Sequence, residues 1–497
     1  MSFIDKDLLS IQEARILMES AREARESMLT FPQEKLDHIV GVLAAAAKEM
    51  AEELAVMSAE ETGYGRWQDK FVKNKFVCET LPDQLKHMKC VGILQEDAVL
   101  KTMDIGVPIG VIAALTPATS PVSTAISNVL TAVKSGNPIV IAPHERAKKV
   151  TGKLLDRMQE AGKCCGLPEG AIGYIKTVTG AGALELIHHP AAAMIVNTGV
   201  PELCRRAAES GKPYIYGGTG NGPVFIERSA DVRQAVEDII ASRTFDYGIV
   251  SAAEQYMVVD SVIAADVKAE MLKNGAYFMN GEEEKKLIDL LCLESGKADT
   301  EVMGRPAFEL ARRAGFLVSP ATTVLVSEQK YISDRNPFAK ELLCPVLAYY
   351  IEHDWMHACE KCMSLLVNES HGHTLVIHSR DEDVIRQFAL KKPVGRVLVN
   401  TPATLGSMGA TTNLFPAMTL GSITSGAGMT ADNVSPMNFI YTRKVGYGVR
   451  KAEEFLKLTN KADQGHAAVP EETGGTDDAR TLLKQILKAL SEELDEK

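Results

Sequence analysis

The sequence lacks the features that mark membrane, secreted and nucleic-acid-binding proteins. Its 497 residues contain no apolar run of about 18 residues, the length needed to cross a bilayer. The first ten residues have no basic segment followed by an apolar core, as a secretory signal would. The net charge is −11, and an acidic protein repels phosphate backbones. We therefore expect a cytoplasmic protein with no membrane segment and no nucleic-acid partner.

Cysteine is present but follows no pattern. The nine cysteines have no regular spacing, which argues against a disulfide framework and for a reducing compartment. Cys359 and Cys362 have neither a second cysteine pair nor histidines at metal-ligand spacing. Together with Trp355 and Met363 they follow helical spacing, so we predict a buried core helix and no metal or redox site.

The pattern of apolar residues predicts an α/β protein with more than one domain. A chain of this length is too long for a single hydrophobic core. Residues 8–60 show helical spacing, and beyond residue 100 short apolar runs alternate with amphipathic segments. Runs that are apolar throughout are typical of strands buried on both faces of a parallel sheet. The predicted strands are 110–115, 138–143, 193–197, 256–260 and 372–378, and the predicted helices are 122–134, 146–161, 202–210, 264–274 and 381–390.

The last third of the chain contains three segments of a different kind. Residues 392–436 are rich in Gly, Thr, Ser and Pro and are too long for a simple connection, so we expect them to be functional or interfacial. The composition of residues 464–478 predicts a polar linker. Beyond this linker the sequence predicts an amphipathic helix with Lys and Glu on its polar face. Its apolar face comprises Leu482, Leu483, Ile486, Leu487, Leu490 and Leu494.

Several sequence blocks, in order, resemble the CoA-acylating aldehyde dehydrogenases. The resemblance covers roughly residues 10–450, and ordered blocks are far more specific than one motif. The blocks are PIGVIAALTPATSP, IAPHERAKKV, SGKP, RTFDYGIVSAAEQ, ELLCPVLAYY, GHTLVIHS and VLVNTPATLGSMGATTNLFPAMTLG.

The resemblance implies an aldehyde dehydrogenase fold and its reaction. In that reaction a cysteine thiolate attacks an aldehyde, hydride passes to NAD or NADP, and the thioester is transferred to CoA. The family is also expected to form homodimers or tetramers. The implied organisation is a Rossmann-like cofactor domain (1–242), a catalytic domain (243–435), a return segment with an oligomerisation arm (436–462), a linker (463–478) and an amphipathic helix (479–497).

The chain departs from the family at the nucleophile. The family pattern is Phe-Asp-Asn-Gly-x-x-Cys-x-x-Glu-Gln, and here Tyr247 replaces the Asn and Ser251 replaces the Cys. A serine hydroxyl is essentially un-ionised at neutral pH and needs a neighbouring base. No His or Lys lies near Ser251 in sequence, although one could approach it in space.

The oxyanion position also differs. The family run Thr-Pro-x-Thr-Asn-Pro supplies an Asn amide to the developing alkoxide, and here Thr116 and Pro117 are followed by Ser120 in place of that Asn. Loss of such a donor typically costs about 10²–10³ in rate. Ser120 can still donate through its hydroxyl, but with a shorter reach.

Two turns expected to hold cofactor phosphates are altered as well. The family turn Thr-Gly-Gly-Pro-Gly reads Thr198, Gly199, Val200, Pro201, Glu202 here, which adds a side chain and a negative charge. The family run Gly-Val-Gly-Ala-Gly-Asn retains Gly218 and Gly220 but begins with Tyr216.

Three further residues match family blocks. Glu341 aligns with a glutamate that binds the nicotinamide ribose, but it could instead be a solvated charge at a helix end. His144 and His373 could equally be structural hydrogen-bonding histidines.

These departures leave two hypotheses open. The chain is either a working dehydrogenase for acetaldehyde or propionaldehyde with CoA, or a pseudoenzyme that keeps the fold for assembly. The linker and final helix resemble encapsulation peptides of enzymes packed in bacterial microcompartments, which suggests a shell protein as partner. The alternative is an ordinary docking helix for a neighbouring subunit.

Overall fold

The computed structural model describes residues 5–218, 220, 222–291, 300–333, 336–369, 372–425, 428–456 and 481–488. The predicted helix-rich start is confirmed: four helices occupy it, α1 (Lys6–Met28), α2 (Gln33–Glu49), α3 (Ala51–Thr62) and α4 (Trp67–Leu85). The carboxylate of Asp5 caps α1 by accepting from the backbone N–H groups of Asp7 and Leu8. Strands β1 (Gly92–Asp97) and β2 (Thr102–Pro108) follow.

The first large sheet has five parallel strands. In chain order they are β3 (Val111–Leu115), β4 (Ile139–Ala142), β5 (Ile172–Tyr174), β6 (Ala192–Thr198) and β7 (Tyr214–Gly217), arranged as β5-β4-β3-β6-β7. The connecting helices are α5 (Pro121–Lys134), α6 (Lys148–Cys164), α7 (Gly180–His188) and α8 (Cys204–Glu209). One face of the sheet shares a core with α2, α4, α5 and α6, and α1 and α7 cover the other face. The predicted strands and helices of this region are confirmed.

The second large sheet has seven parallel strands. They are β8 (Gly222–Ile226), β9 (Glu254–Asp260), β10 (Ala276–Phe278), β11 (Val324–Glu328), β12 (Val346–Glu352), β13 (Thr374–His378) and β14 (Arg396–Val399), arranged as β10-β11-β12-β9-β8-β13-β14. The helices of this region are α9 (Val232–Thr244), α10 (Ala264–Lys273), α11 (Gly281–Leu291), α12 (Ala307–Ala314), α13 (Trp355–Glu369), α14 (Glu382–Leu390) and α15 (Ala403–Ser407). Each face of the sheet is buried in its own hydrophobic cluster.

The change from one sheet to the other falls between β7 and β8. Strand β8 pairs with β9 and β13. The domain bounds 1–242 and 243–435 that the resemblance implies stay a prediction. The segment 392–436 is also more structured than its composition indicates, since it contains β14 and α15. Cys359 and Cys362 are buried on α13, which confirms the predicted core helix.

The chain divides into two units. One comprises residues 1–95 and 104–444, and the other comprises residues 96–103 and the chain from residue 445 onward. Strand β15 (Ile440–Gly446) belongs to a small sheet of order β1-β2-β15. Among the described residues, no helix has the length and apolar character needed to cross a membrane.

The predicted terminal helix is present in the part that the structure describes. Residues 481–488 are helical and exposed, and four apolar side chains are more than half exposed: Leu482, Leu483, Ile486 and Leu487. The predicted linker 463–478 lies outside the described residues, as do Leu490 and Leu494.

Candidate active site

The carboxyl ends of the strands of the first sheet supply one wall of the site. Thr116 and Pro117 follow β3, and Gly199 follows β6. Because these strands are neighbours in a parallel sheet, their ends lie at the same edge, where open α/β sheets place their ligands. The loop that carries Ser251, between α9 and β9, forms part of the opposite wall.

These segments enclose a cavity of about 520 Å³. Residues named from the sequence that line it are Ser251, Ser120, Pro117, Thr198, Gly199, Gly218, Glu341, His144 and His373. Thr116 is fully buried instead, and Gly220 takes part through its backbone N–H, which donates to Glu341 Oε1 at 2.9 Å. Glu341 lies in the loop before β12, directly after the cap of a short 3₁₀ helix (Pro337–Ala339).

His373 is the side chain that approaches Ser251. Its Nε2 atom lies 3.4 Å from Ser251 Oγ, although the two residues are far apart in sequence. Burial, together with the positive charge of Arg396, holds the pKa of His373 well below its usual range. The imidazole is therefore neutral at physiological pH. The sequence offered His373 only as a match to a family block, and the pairing with Ser251 depends on the fold.

Ser120 is held by a buried charge cluster that sequence reasoning missed. Lys73 Nζ donates to Ser120 Oγ at 2.7 Å and to Asp246 Oδ2 at 2.6 Å. Lys70 Nζ donates to the same carboxylate oxygen and to the carbonyl oxygen of Thr119, each at 3.1 Å. Burial lowers the pKa of Lys70 to about 8, although Asp246 opposes this shift. The available signal was polar side chains at helical spacing along α4, where an exposed face is the usual interpretation.

The turn that leads to Ser251 contains two residues with left-handed backbone. Asp246 and Tyr247 both have φ of 52°. Asp tolerates this conformation better than most residues, whereas an aromatic residue there is strained. Tyr247 stands where the family has Asn, which adopts the same backbone at lower cost.

The residues of the cavity fit a nicotinamide and its ribose better than they fit a pyrophosphate. Glu341 and Thr198 face the same space as Ser251. In the turn after β6, however, the Gly199 N–H already donates to the Gly217 carbonyl at 2.7 Å and the Val200 N–H to Asn197 Oδ1 at 3.1 Å. These two amides are therefore occupied, and the carboxylate of Glu202 also faces the cavity.

The side chain of Tyr216 reduces the space that is expected to hold the cofactor phosphates. A Cβ atom at Gly218 would lie 2.0 Å from Tyr216 Cζ, so the phenol ring packs directly against the Gly218 backbone. Only glycine fits at position 218 beside this ring. The smaller residue that the family keeps at position 216 leaves that space open.

Comparison with known proteins identifies the class. The model of the aldehyde dehydrogenase family matches residues 8–413. The chain is 36% identical over 453 residues to the bifunctional aldehyde-alcohol dehydrogenase AdhE of Escherichia coli K12, covering 90% of this chain and 50% of that protein. The chain thus spans about half the length of such bifunctional relatives.

Solved structures extend the comparison. An acetylating aldehyde dehydrogenase from Geobacillus thermoglucosidasius superposes with a TM-score of 0.87 at 38% identity, over 90% of this chain and 99% of that one. A propionaldehyde dehydrogenase from the fucose utilisation bacterial microcompartment of Clostridium phytofermentans gives a TM-score of 0.79 at 27% identity, over 88% and 98%. The chain belongs to the aldehyde dehydrogenase family. Its similarity is to the CoA-acylating type.

Proposed function

We propose that the chain is a CoA-acylating aldehyde dehydrogenase whose turnover is impaired by Ser251. The reaction converts a short aldehyde, acetaldehyde or propionaldehyde, with CoA and NAD or NADP to acyl-CoA and the reduced cofactor. The observation that carries the proposal is the single cavity lined by Ser251, Ser120, Glu341 and His373. The named activities of the acetylating and propionaldehyde relatives support it.

Each of these residues has a distinct role in the proposal. Ser251 presents its hydroxyl to the aldehyde carbon, and Ser120 donates to the carbonyl oxygen. Because Lys73 donates to Ser120 Oγ, the Ser120 hydrogen is left available for the substrate. Glu341 binds the ribose of the cofactor, which accepts hydride when it is bound.

The rate is low for two physical reasons. A serine hydroxyl ionises far less readily than a thiol, so little nucleophile is present. An oxygen ester also transfers to a thiol less readily than a thioester does. The cavity that contains Ser251 is also lined by Ser120, Glu341 and His373, which supports a site able to hold a reactive thiol.

The test is acyl-CoA formation from acetaldehyde, NAD and CoA by the native chain, Ser251→Cys and Ser251→Cys/Ser120→Asn. We expect the cysteine to raise the rate by at least tenfold and the added amide donor to raise it by up to about 10² more. Val72→Ala, a change on an exposed side chain of α4, is a matched control that should leave the rate unchanged. Equal rates in the native chain and both variants would refute the proposal.

A second candidate function is a role in assembly, without catalysis. It is favoured by the exposed apolar side chains of residues 481–488 and by the microcompartment origin named for the Clostridium phytofermentans relative. The proposed location is then the lumen of such a compartment, with a shell protein as partner, and a homodimer or tetramer as the assembled form.

Removal of residues 466–497 tests this second function. We expect the truncated chain to fold and to lose co-purification with shell proteins. Leu483→Asp/Leu487→Asp should act in the same way, whereas Lys484→Ala should not, because only the first variant disrupts the apolar side chains. Unchanged co-purification would contradict the assembly role and leave the catalytic proposal untouched.

A further inference from the structure

His373 has hydrogen-bond partners that fix its tautomer. Its Nδ1 atom lies 3.0 Å from Arg396 Nη1 and 2.6 Å from Thr374 Oγ1. A guanidinium has only donors, so Nδ1 must accept from Arg396. The proton of the neutral imidazole is then on Nε2, the atom that faces Ser251 at 3.4 Å. The ring also makes a hydrogen bond with the Gly218 backbone, so residue 251 shares the imidazole with that group.

Burial lowers the pKa of Arg396 to about 10 and the negative charge of Asp432 opposes this shift, so the positive charge behind His373 is only partly balanced. Arg396 is 6% exposed, and besides His373 Nδ1 it donates to Thr374 Oγ1 and to carbonyl oxygens of His373, Gly421 and Ala431. Within the described parts of the chain, no carboxylate lies within ion-pair distance of Arg396. A buried positive charge in this position repels an imidazolium and favours a negative charge in front of the ring.

A base for Ser251 would need the opposite arrangement. Proton removal requires a lone pair on Nε2 and a partner that accepts from Nδ1–H, as a carboxylate does. Here Nδ1 accepts a hydrogen bond from Arg396, and Nε2 carries the hydrogen. The ring can donate to the atom at position 251, but it cannot take a proton from it without becoming an imidazolium next to Arg396.

We infer that His373 serves as a hydrogen-bond donor to residue 251, with Arg396 as the positioning residue that fixes its tautomer. The site thus stabilises an anion at position 251 and does not generate one from a hydroxyl. A thiolate suits such a site, whereas a serine is left without a base. The inference rests on the proposed function only in taking position 251 as the nucleophile position.

Other charged and titratable groups also face the cavity. Glu202 and Glu341 carry negative charge, which opposes an anion at position 251, and His144, Tyr64 and Tyr216 complete the titratable lining. For the pKa at position 251 to fall, the stabilisation of the anion by the His373 donor must exceed the repulsion from the two carboxylates. The pKa shift therefore has to be measured with both carboxylates in place.

The experiment is the pH dependence of iodoacetamide alkylation at position 251 in the Ser251→Cys variant, followed by peptide mass mapping. It needs no aldehyde, CoA or cofactor. The native thiols at Cys78, Cys90, Cys344 and Cys362 are buried with raised pKa values, and exposed Cys164 is an internal reference. We expect the introduced thiol to titrate at least one unit below the ordinary value of about 8.5.

Two variants in the same background separate the roles of the ring. Adding His373→Ala should raise the midpoint by at least one unit, a loss of about tenfold in thiolate at low pH. Adding His373→Gln, whose amide can donate, should restore part of the shift. If His373→Ala unfolds the protein and so exposes the buried thiols, the titration midpoint is compared in the His373→Gln variant instead.

The outcomes distinguish this inference from the proposed function. An unchanged or lowered midpoint without the imidazole, or no recovery with glutamine, would overturn the donor role even if the enzyme were active. A low midpoint that depends on His373, with no acyl-CoA formed by Ser251→Cys, would refute the proposed function and leave the donor role standing.

Discussion

At the scale of single residues, the site contains two hydroxyls, one in direct contact with a buried cation and one separated from a buried cation by an imidazole ring. Ser120 contacts Lys73, and Ser251 faces His373, which Arg396 contacts from behind. The sequence supplied both serines, because each replaces a residue in a recognisable motif. Their partners lie far away along the chain, and only the packing of α4, β13 and β14 brings them to the cavity.

Glu254 makes the stability of the protein depend on pH. It is fully buried, and burial raises its pKa from 4.5 to about 7. The folded state therefore keeps a proton that the unfolded state has lost, so stability falls as pH rises from about 4.5 to about 7 and then stays low. We expect Glu254→Gln to be more stable than the native chain by about 3 kcal/mol at pH 8 and by little at pH 4.5.

Denaturant unfolding at both pH values measures this difference. Glu160→Gln, on an exposed part of α6, is the matched control and should give the same small change at both. A Glu254→Gln effect that does not vary with pH would contradict the buried carboxyl account.

At the scale of elements, the loops that connect regular structure carry what is specific to this chain. The strands and helices could be predicted because their apolar periodicity is local. The conformation of the turns could not, since Tyr247 gives no signal in sequence of its left-handed backbone, and Glu341 looks like any charged loop residue. The composition of 392–436 likewise concealed β14 and α15.

Replacement of Tyr247 by the Asn of the family pattern should relieve the backbone strain in the turn before Ser251. Tyr247→Asn replaces a strained aromatic with a residue that accepts the left-handed backbone. Its ring lies 6.0 Å from the Arg66 guanidinium, a contact that the variant loses. We expect a net gain of up to about 1 kcal/mol in the free energy of unfolding.

Tyr247→Phe is the control for this change, because it keeps both the strain and the ring. Chemical denaturation should therefore find Tyr247→Phe equal to the native chain. A less stable Tyr247→Asn protein would show that the ring contact outweighs the backbone strain.

The turn after β6 should limit cofactor affinity. Glu202→Gln removes a negative charge that faces the cavity, and Val200→Gly/Glu202→Gly restores the pattern of the family. We expect NADH to bind more tightly to the first variant, by about tenfold for roughly 1.4 kcal/mol of relieved repulsion, and more tightly still to the second. Fluorescence titration measures the affinities, with Glu160→Gln as the control for net charge. Equal affinities in all variants would contradict this role of the turn.

At the scale of the whole molecule, the two parallel sheets follow from the sequence pattern, while their boundary does not. Strand β8 belongs to the second sheet, which the apolar pattern of its residues does not show. Strand pairing depends on residues that are far apart in the sequence. The local sequence of β8 and of α9, which follows it, therefore does not indicate which sheet β8 joins. The terminal helix was predicted from its apolar stripe. This pattern, like the apolar pattern of each strand, is contained in a short segment of the sequence.

We predict that residues 466–497, the tail, contribute little to the stability of the rest of the chain. The part of the tail that the structure describes, residues 481–488, is exposed, and none of its residues belongs to a hydrophobic cluster. We expect removal of residues 466–497 to leave the melting temperature unchanged in a thermal scan. A clear drop would show that the tail packs against the body, and would favour a docking role over attachment to a shell.

The central claim is that an acylation site persists around position 251 and that the missing thiol is its main defect. The most direct test incubates the native chain and Ser251→Cys with acetyl-CoA and weighs each intact protein. The account predicts the added mass of one acetyl group on Ser251→Cys, mapped to position 251, and none on the native chain in the same time. An acetyl group on Ser251 of the native chain, or none on the variant, would contradict it.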